Sequence, residues 1–203
     1  AVKAGENALI QLGIYGANYK ITMFLAMFIQ AFRYAAEPFF FNQEKEKNSK
    51  NVIAKVMTYF VIVSTIIFLG LDLFLPILKY FTPNEVFWEG LKIVPILLLA
   101  NVFLGIFVNL SIWYKLSSKT NYGAYISIMG ATITIVLNFV FIPTYGYVAS
   151  AWATLACYAS MMIVSYFLGQ RHYPIPYNLK KIGAYLGLGA ILYLIKVPFE
   201  PYA

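Results

Sequence analysis

Charged side chains inside a long apolar stretch are the residues of this sequence best suited to chemistry. Lys20, Arg33 and Glu37 all lie in the mainly apolar segment 8–39. Arg33 and Glu37 are four residues apart, so on a helix they share one face and can form an ion pair. A charge at the centre of a bilayer costs about 2.5 to more than 10 kcal/mol, which is why such groups usually face protein or water. One interpretation is a cationic lining for an anionic headgroup.

A simpler interpretation stays open for the same three residues. Lys20 could extend to water, and Arg33 with Glu37 could mark the cytoplasmic interface. Thirteen residues separate Lys20 from Arg33, which is about 220° around a straight helix, so these cations do not share one narrow stripe. Arg33→Ala alone should disturb folding or insertion more than Arg33→Ala with Glu37→Gln, because removing one partner leaves an uncompensated buried charge.

Small and polar residues recur in two further apolar segments. Spacings of three and four favour helix packing as their role. The stripes are Gly123, Ser127, Ala131, Thr134 and Asn138 in one segment, and Ala149, Ala153, Cys157 and Ser160 in the next. Asn138 is the one member that we treat as a candidate for substrate contact.

Pro95 and Gly105 interrupt an otherwise aliphatic segment. A proline inside a helix removes a backbone hydrogen bond and permits a kink, so both residues are candidates for a hinge. A rigid bend in a static bundle is an equal alternative.

Catalytic motifs are missing from the sequence. It has no Gly-x-x-x-x-Gly-Lys phosphate loop, no Gly-x-Ser-x-Gly turn and no His-Glu-x-x-His pair. The single cysteine, Cys157, excludes an internal disulfide, and the single histidine, His172, excludes motifs that need two imidazoles. We therefore predict no enzyme activity, no catalytic residues, no metal and no cofactor.

Composition indicates that lipid surrounds most of the chain. The sequence is 61% hydrophobic and 11% charged, whereas soluble domains are about 45–50% apolar and about 25% charged. Its mean hydropathy of +0.72 excludes an ordinary soluble domain. A membrane-spanning helix needs about 20 mainly apolar residues. These lengths predict an all-α, polytopic membrane helix bundle with about six helices, near 8–39, 52–79, 87–115, 121–142, 146–169 and 180–197.

The distribution of positive charge predicts the orientation in the membrane. Nine of the fifteen Lys and Arg residues fall in alternate loops: Lys45, Lys47, Lys50, Lys55, Lys115, Lys119, Arg171, Lys180 and Lys181. The positive-inside rule places these loops in the cytoplasm. We expect a multi-pass protein of the inner (cytoplasmic) membrane. The net charge of +7 forms no basic stripe in a soluble segment, so nucleic acid is not expected as a partner.

Three segments together resemble one family: GIYGANYKI at 13–21, AFRYAAEPFF at 31–40, and LNFVFIPTYG at 137–146 followed by AWAT at 151–154. They resemble the C-terminal half of polysaccharide flippases, in the superfamily of multidrug, oligosaccharidyl-lipid and polysaccharide exporters. The resemblance implies two lobes of helices around a central cationic cavity. Residues 1–203 would then form most of one lobe, with its last helix and the entire N-terminal lobe outside this sequence.

The resemblance also implies an activity. The expected function is the transfer of a lipid-linked oligosaccharide, a polyprenyl-pyrophosphate glycan that serves as precursor of O-antigen, capsule or exopolysaccharide, by alternating access. Lys20 and Arg33 become the candidate cations for the pyrophosphate. The expected partners are this substrate, membrane lipid, the N-terminal lobe of the same chain and a glycan polymerase.

Two other transport functions remain as alternatives, namely a cation-coupled multidrug antiporter of the same superfamily and a peptidoglycan-precursor flippase. An unrelated membrane scaffold or enzyme subunit is a further alternative. Drug antiport would favour a buried carboxylate in the middle of the membrane. Glu37 and Asp72 instead lie near the ends of predicted spans.

Overall fold

A computed structural model of the chain describes residues 2–81 and 85–196. Among those residues it contains helices and turns but no strand, which confirms the all-α prediction. Two 3₁₀ segments, Lys79–Phe81 and Glu85–Ile93, precede the central helix. The α-helices are α1 Val2–Gln43, α2 Ser49–Leu73, α3 Leu75–Leu78, α4 Val94–Leu110, α5 Ile112–Leu116, α6 Asn121–Tyr145, α7 Tyr147–His172 and α8 Leu179–Lys196.

Within the described part of the chain, five helical segments are long and apolar enough to cross a membrane. They are Ala8–Gln43, Ser49–Leu73, Glu85–Leu116, Asn121–Tyr145 and Tyr147–His172. The sixth predicted helix is present as α8, whose 18 residues include Lys180, Lys181 and Lys196. With three charged residues in 18, α8 is too highly charged to count among the five spanning segments. Residue 197, the predicted end of this helix, lies outside the described residues.

Several predicted helix boundaries are wrong. The span predicted over 52–79 breaks at Phe74, because Pro76 in the first turn of α3 cannot donate a backbone hydrogen bond to α2. The span predicted over 87–115 is confirmed as the segment Glu85–Leu116, in which a 3₁₀ segment precedes α4 and α5. α1 continues through Pro38 to Gln43, beyond the predicted end at residue 39. α6 likewise continues to Tyr145 and ends at Gly146, whose φ of 59° makes the turn before α7.

α4 is the centre of the bundle and packs against α1, α2 and α7. Its apolar residues are buried in one core with residues from the first two helices: Ile21, Leu25, Ile29, Met57, Phe60, Val61, Val94, Leu98, Val102, Ile106 and Leu110. α6 packs against α7 and leaves large apolar side chains such as Ile135 and Phe139 exposed. An exposed apolar face of this kind suits contact with lipid or with another part of the protein within the membrane.

α8 is fixed against α2 at one end of the bundle. Lys196 Nζ lies 3.0 Å from Asp72 Oδ2, and the Asp72 side chain is only 2% exposed. Lys196 also donates to the backbone carbonyl of Asp72. Gly189 of α8 packs against Thr65 of α2, further along the same contact. The ion pair therefore holds together two helices that are distant in the sequence.

Cysteine labelling should report the orientation that the positive-inside rule predicts. Lys47, Ser118 and Asn178 lie in exposed turns at one end of the bundle, and Thr144 is exposed at the other end. In the full-length protein, a membrane-impermeant maleimide should label Thr144→Cys in intact cells but label the other three cysteine variants only after permeabilisation. Cys157 is buried and should contribute little background. Inverted labelling at two or more sites would contradict the orientation.

Candidate functional site

The predicted ion pair between Arg33 and Glu37 is present on α1. Arg33 Nε donates to Glu37 Oε1 at 2.8 Å across one helical turn. Both side chains remain partly exposed. The prediction based on their four-residue spacing is therefore confirmed.

A second cation, Lys115, binds the same carboxylate oxygen. Lys115 Nζ lies 2.5 Å from Glu37 Oε1, and the Lys115 side chain is 20% exposed. We call Arg33, Glu37 and Lys115 the charge cluster. Two cations against one carboxylate leave the cluster with a net charge of +1. The cluster can therefore attract a further anion, because Glu37 neutralises only one of its two positive charges.

A small apolar core positions the charge cluster. Ala36 and Phe40, on the face of α1 beside Glu37, are buried with Ile53 of α2 and with Ile112 and Leu116 of α5. In the sequence, Lys115 lies between Ile112 and Leu116. Burial of those two side chains against α1 therefore brings the Lys115 side chain beside α1. The contact that defines the cluster thus follows from helix packing.

The sequence analysis missed Lys115 as a member of this site. It counted Lys115 only among the loop cations of the end that also carries Arg33 and Glu37. The predicted position of Lys115 at the same end of the bundle as Glu37 was the available signal. Eight other loop cations were predicted at that end as well, so the signal did not single out Lys115. The expectation that Arg33→Ala leaves Glu37 without a compensating charge is therefore wrong, because Lys115 still binds the carboxylate.

Lys20 lies on the side of α1 that faces away from the described bundle. It is exposed, as are Met23 and Met27 on the same face, whereas Ile21 and Leu25 on the opposite face are buried. Among residues 8–80 and 85–196, no carboxylate forms an ion pair with Lys20. Its distance from Arg33 along the axis is about 20 Å. The structure does not bring Lys20 into the charge cluster, in agreement with the separation of about 220° on a straight helix.

Asn138 is also far from the charge cluster. It lies on α6 about 25 Å from Asn121, and Asn121 begins the helix at the end of the bundle that carries the cluster. Asn138 Oδ1 is buried and accepts no hydrogen bond from any described residue. An unpaired buried amide oxygen marks a place where a polar partner would be favourable. Asn138 therefore stays a candidate for substrate contact, at a different depth from the cluster.

The packing stripe predicted on α6 is displaced by one residue at two of its five positions, whereas Gly123, Thr134 and Asn138 are partly buried as predicted. Ser127 and Ala131 are exposed, whereas Ile126 and Gly130 are buried against α7. On α7 the prediction holds, since Ala149, Ala153 and Cys157 are all buried. The Cys157 sulfur donates to the Gly130 carbonyl at 3.2 Å. The packing face of α6 is therefore selected by its fit to α7 rather than by side-chain polarity.

Pro95 begins α4 instead of interrupting it. It occupies the first turn, directly after the 3₁₀ segment Glu85–Ile93. The first turn of a helix has no internal acceptor for its N–H groups, so proline removes no hydrogen bond there. The interior kink expected at this residue is absent.

Gly105, the second hinge candidate, lies at a close contact among three helices. A Cβ atom at this position would be 2.4 Å from Phe60 Cζ on α2 and 3.2 Å from Ile29 Cγ1 on α1. Both neighbouring side chains are buried. Close packing among α1, α2 and α4 therefore explains the glycine at this position.

Gly105→Ala should destabilise the full-length protein in detergent by about 1–3 kcal/mol, because the added methyl group overlaps the buried Phe60 ring. Gly183→Ala is the matched control, because Gly183 is exposed on α8 and a Cβ atom there meets no atom within 4 Å. The control should be neutral or stabilising by up to about 1 kcal/mol. Thermal midpoints measure both effects. An unchanged midpoint for Gly105→Ala, together with lost transport, would favour a hinge instead.

Comparisons with known proteins identify one similarity. The model of the MatE family matches residues 5–140, which include the charge cluster and Lys20. No curated protein and no solved structure matches the chain. The family match covers most of the bundle, from α1 into α6.

Proposed function

Because the chain belongs to the MatE family of membrane exporters, whose members are transporters rather than enzymes, we propose that it forms part of a flippase for a lipid-linked oligosaccharide. The headgroup of this substrate is a pyrophosphate, and its glycan must leave the cytoplasmic side. The transported molecule thus combines negative charge, a large polar group and a lipid tail. The residues that would meet it include cations at two depths of the membrane.

The observation that carries the proposal is the net positive charge of the charge cluster. Under the positive-inside orientation, the cluster lies at the cytoplasmic end, where a newly made lipid-linked glycan would arrive. Arg33 keeps 44% of its side chain exposed and offers a planar set of donors that suits phosphate oxygens. A pyrophosphate could bind this guanidinium while Lys115 continues to neutralise Glu37.

Lys20 supplies a second cation nearer the outer side. It is exposed on the face of α1 that turns away from the described helices, and we propose that an N-terminal lobe lies opposite this face. A cation in such an enclosed space attracts a phosphate more strongly than the same cation in water. Arg33 and Lys20 would then act at successive positions of the headgroup.

The family match fits a multidrug antiporter equally well, so the choice depends on the acidic side chains. Glu37 of α1 and Asp72 of α2 both bind lysines. Both also lie near helix ends. Cation-coupled antiport would favour a carboxylate in the middle of the membrane, and these two do not meet that requirement. The arrangement supports a flippase for this part of the protein.

Complementation of two bacterial strains tests the proposal. The full-length protein should restore surface glycan in a strain that lacks its own polysaccharide flippase, measured by gel staining of extracted glycan. It should not raise drug tolerance in a strain that lacks its drug exporters. Raised tolerance without surface glycan would support the antiporter, and rescue of a strain depleted of its peptidoglycan-precursor flippase would support that alternative. Matched protein levels in membranes are the control.

A further inference from the structure

An apolar groove runs between α7 and α8, with α2 and α4 as its floor. Its outer segment has a volume of about 320 Å³. The walls are almost wholly apolar or aromatic, and include Pro95, Leu99, Trp152, Ala190 and Tyr193. Lys92 is the one charged residue that lines it. The groove thus combines a long apolar surface with a single cation.

The packing of the neighbouring helices keeps this groove open. α8 packs against α2, where Lys196 binds Asp72. α7 packs against α4 and α6. A second apolar cavity of about 290 Å³ continues the groove toward the other end of the bundle, and Leu186 lines both cavities. The two cavities therefore form one continuous apolar groove between α7 and α8.

Lys92 is only weakly held by its neighbours. Its Nζ lies 3.8 Å from Glu89 Oε1, and the two side chains are 48% and 69% exposed. The same Nζ lies 5.5 Å from the centre of the Tyr147 ring. Exposed ion pairs of this length contribute little to stability. An anionic group could therefore bind Lys92 without displacing a strong internal partner.

The depth of the outer segment matches one leaflet of a bilayer. Along the 3₁₀ segment and α4 it extends from Lys92 to Val102, which is about 16 Å of helical rise. The hydrocarbon core of a bilayer is about 30 Å thick, so one leaflet is about half of that. A lipid with its phosphate at Lys92 would place one acyl chain along the groove within its own leaflet.

We propose that this groove binds an anionic glycerophospholipid, with the phosphate at Lys92 and an acyl chain between α7 and α8. Under the positive-inside orientation the lipid belongs to the outer leaflet. The bound lipid would fill the space between the two helices and stabilise α8 against the bundle. The site is separate from both proposed headgroup positions, because neither Lys20 nor any residue of the charge cluster lines the groove.

Native mass spectrometry of the purified full-length protein tests the proposal, after equilibration with equal amounts of phosphatidylglycerol and phosphatidylcholine. The wild type should retain phosphatidylglycerol preferentially. Lys92→Gln should lower its retention about fivefold, the effect of one lysine on an anionic lipid. Lys79→Gln is the matched control, because Lys79 lies near the same end of the bundle but over the Trp88 ring, at 4.5 Å. Equal retention in wild type and Lys92→Gln, or equal losses in both variants, would overturn the proposal.

A second pair of variants tests the acyl-chain position without changing charge. Ala190 and Ala184 are both exposed on α8, but only Ala190 lines the groove. Ala190→Trp should fill the groove and abolish lipid retention, whereas Ala184→Trp should leave it unchanged. Unchanged retention with Ala190→Trp would overturn the proposed chain position. Retention of both lipids at equal levels by the wild type would overturn the role of Lys92 and indicate an apolar lipid groove only.

Discussion

Arg33→Ala combined with Lys115→Ala should destabilise the full-length protein far more than either substitution alone. Each single variant leaves Glu37 with one cation at hydrogen-bond distance. The double variant leaves the carboxylate without either partner in a partly buried position. Orphaning a fully buried charge costs about 3–5 kcal/mol. Glu37 keeps 32% of its side chain exposed, so we expect about 1–2 kcal/mol, and less than about 1 kcal/mol for each single variant.

The thermal midpoint in detergent measures this effect, and Glu37→Gln in the double-variant background provides the control. A neutral amide requires no cation, so the triple variant should recover most of the lost stability. Additive losses from the two single substitutions, with no recovery by Glu37→Gln, would show that the cations act through packing rather than through Glu37.

Lys20→Ala should reduce glycan export by the full-length protein about tenfold while its amount in the membrane stays unchanged. An ammonium group in an enclosed, poorly solvated space attracts a pyrophosphate strongly, and losing about 1.4 kcal/mol of such attraction corresponds to a factor of ten. Lys20→Arg should retain appreciable export, because the guanidinium keeps the charge and adds donors. Export is measured as surface glycan at matched protein level in a strain without its own flippase.

Lys180→Ala is the control for general loss of positive charge. Lys180 is exposed like Lys20 but lies at the start of α8, at the end of the bundle that the positive-inside rule places in the cytoplasm. The Lys180→Ala variant should export glycan normally. Normal export by Lys20→Ala as well would show that Lys20 extends to water and does not bind the headgroup. The cationic site would then be sought at Arg33 or in the proposed N-terminal lobe.

The sequence alone indicated that lipid surrounds most of the chain, and it determined the fold class and the approximate position of each helix. Runs of uncharged residues as long as Ile93–Tyr114 have few folding solutions besides a membrane helix, because an apolar segment of that length must satisfy its backbone hydrogen bonds internally. The pair of Arg33 and Glu37 was also accessible, since a four-residue spacing fixes their proximity within one helix.

Tertiary structure decided every relation between residues on different helices. Lys115 reaches Glu37 across 78 positions of sequence, because a small apolar core holds α5 against α1. The buried pair of Asp72 and Lys196 spans 124 positions, and the groove at Lys92 exists only where α8 packs on α2 beside α7. The face of α6 that packs on α7 was likewise unpredictable from its small residues. Sequence spacing specifies angles around a single helix, whereas contacts between helices depend on how several side chains fit together at once.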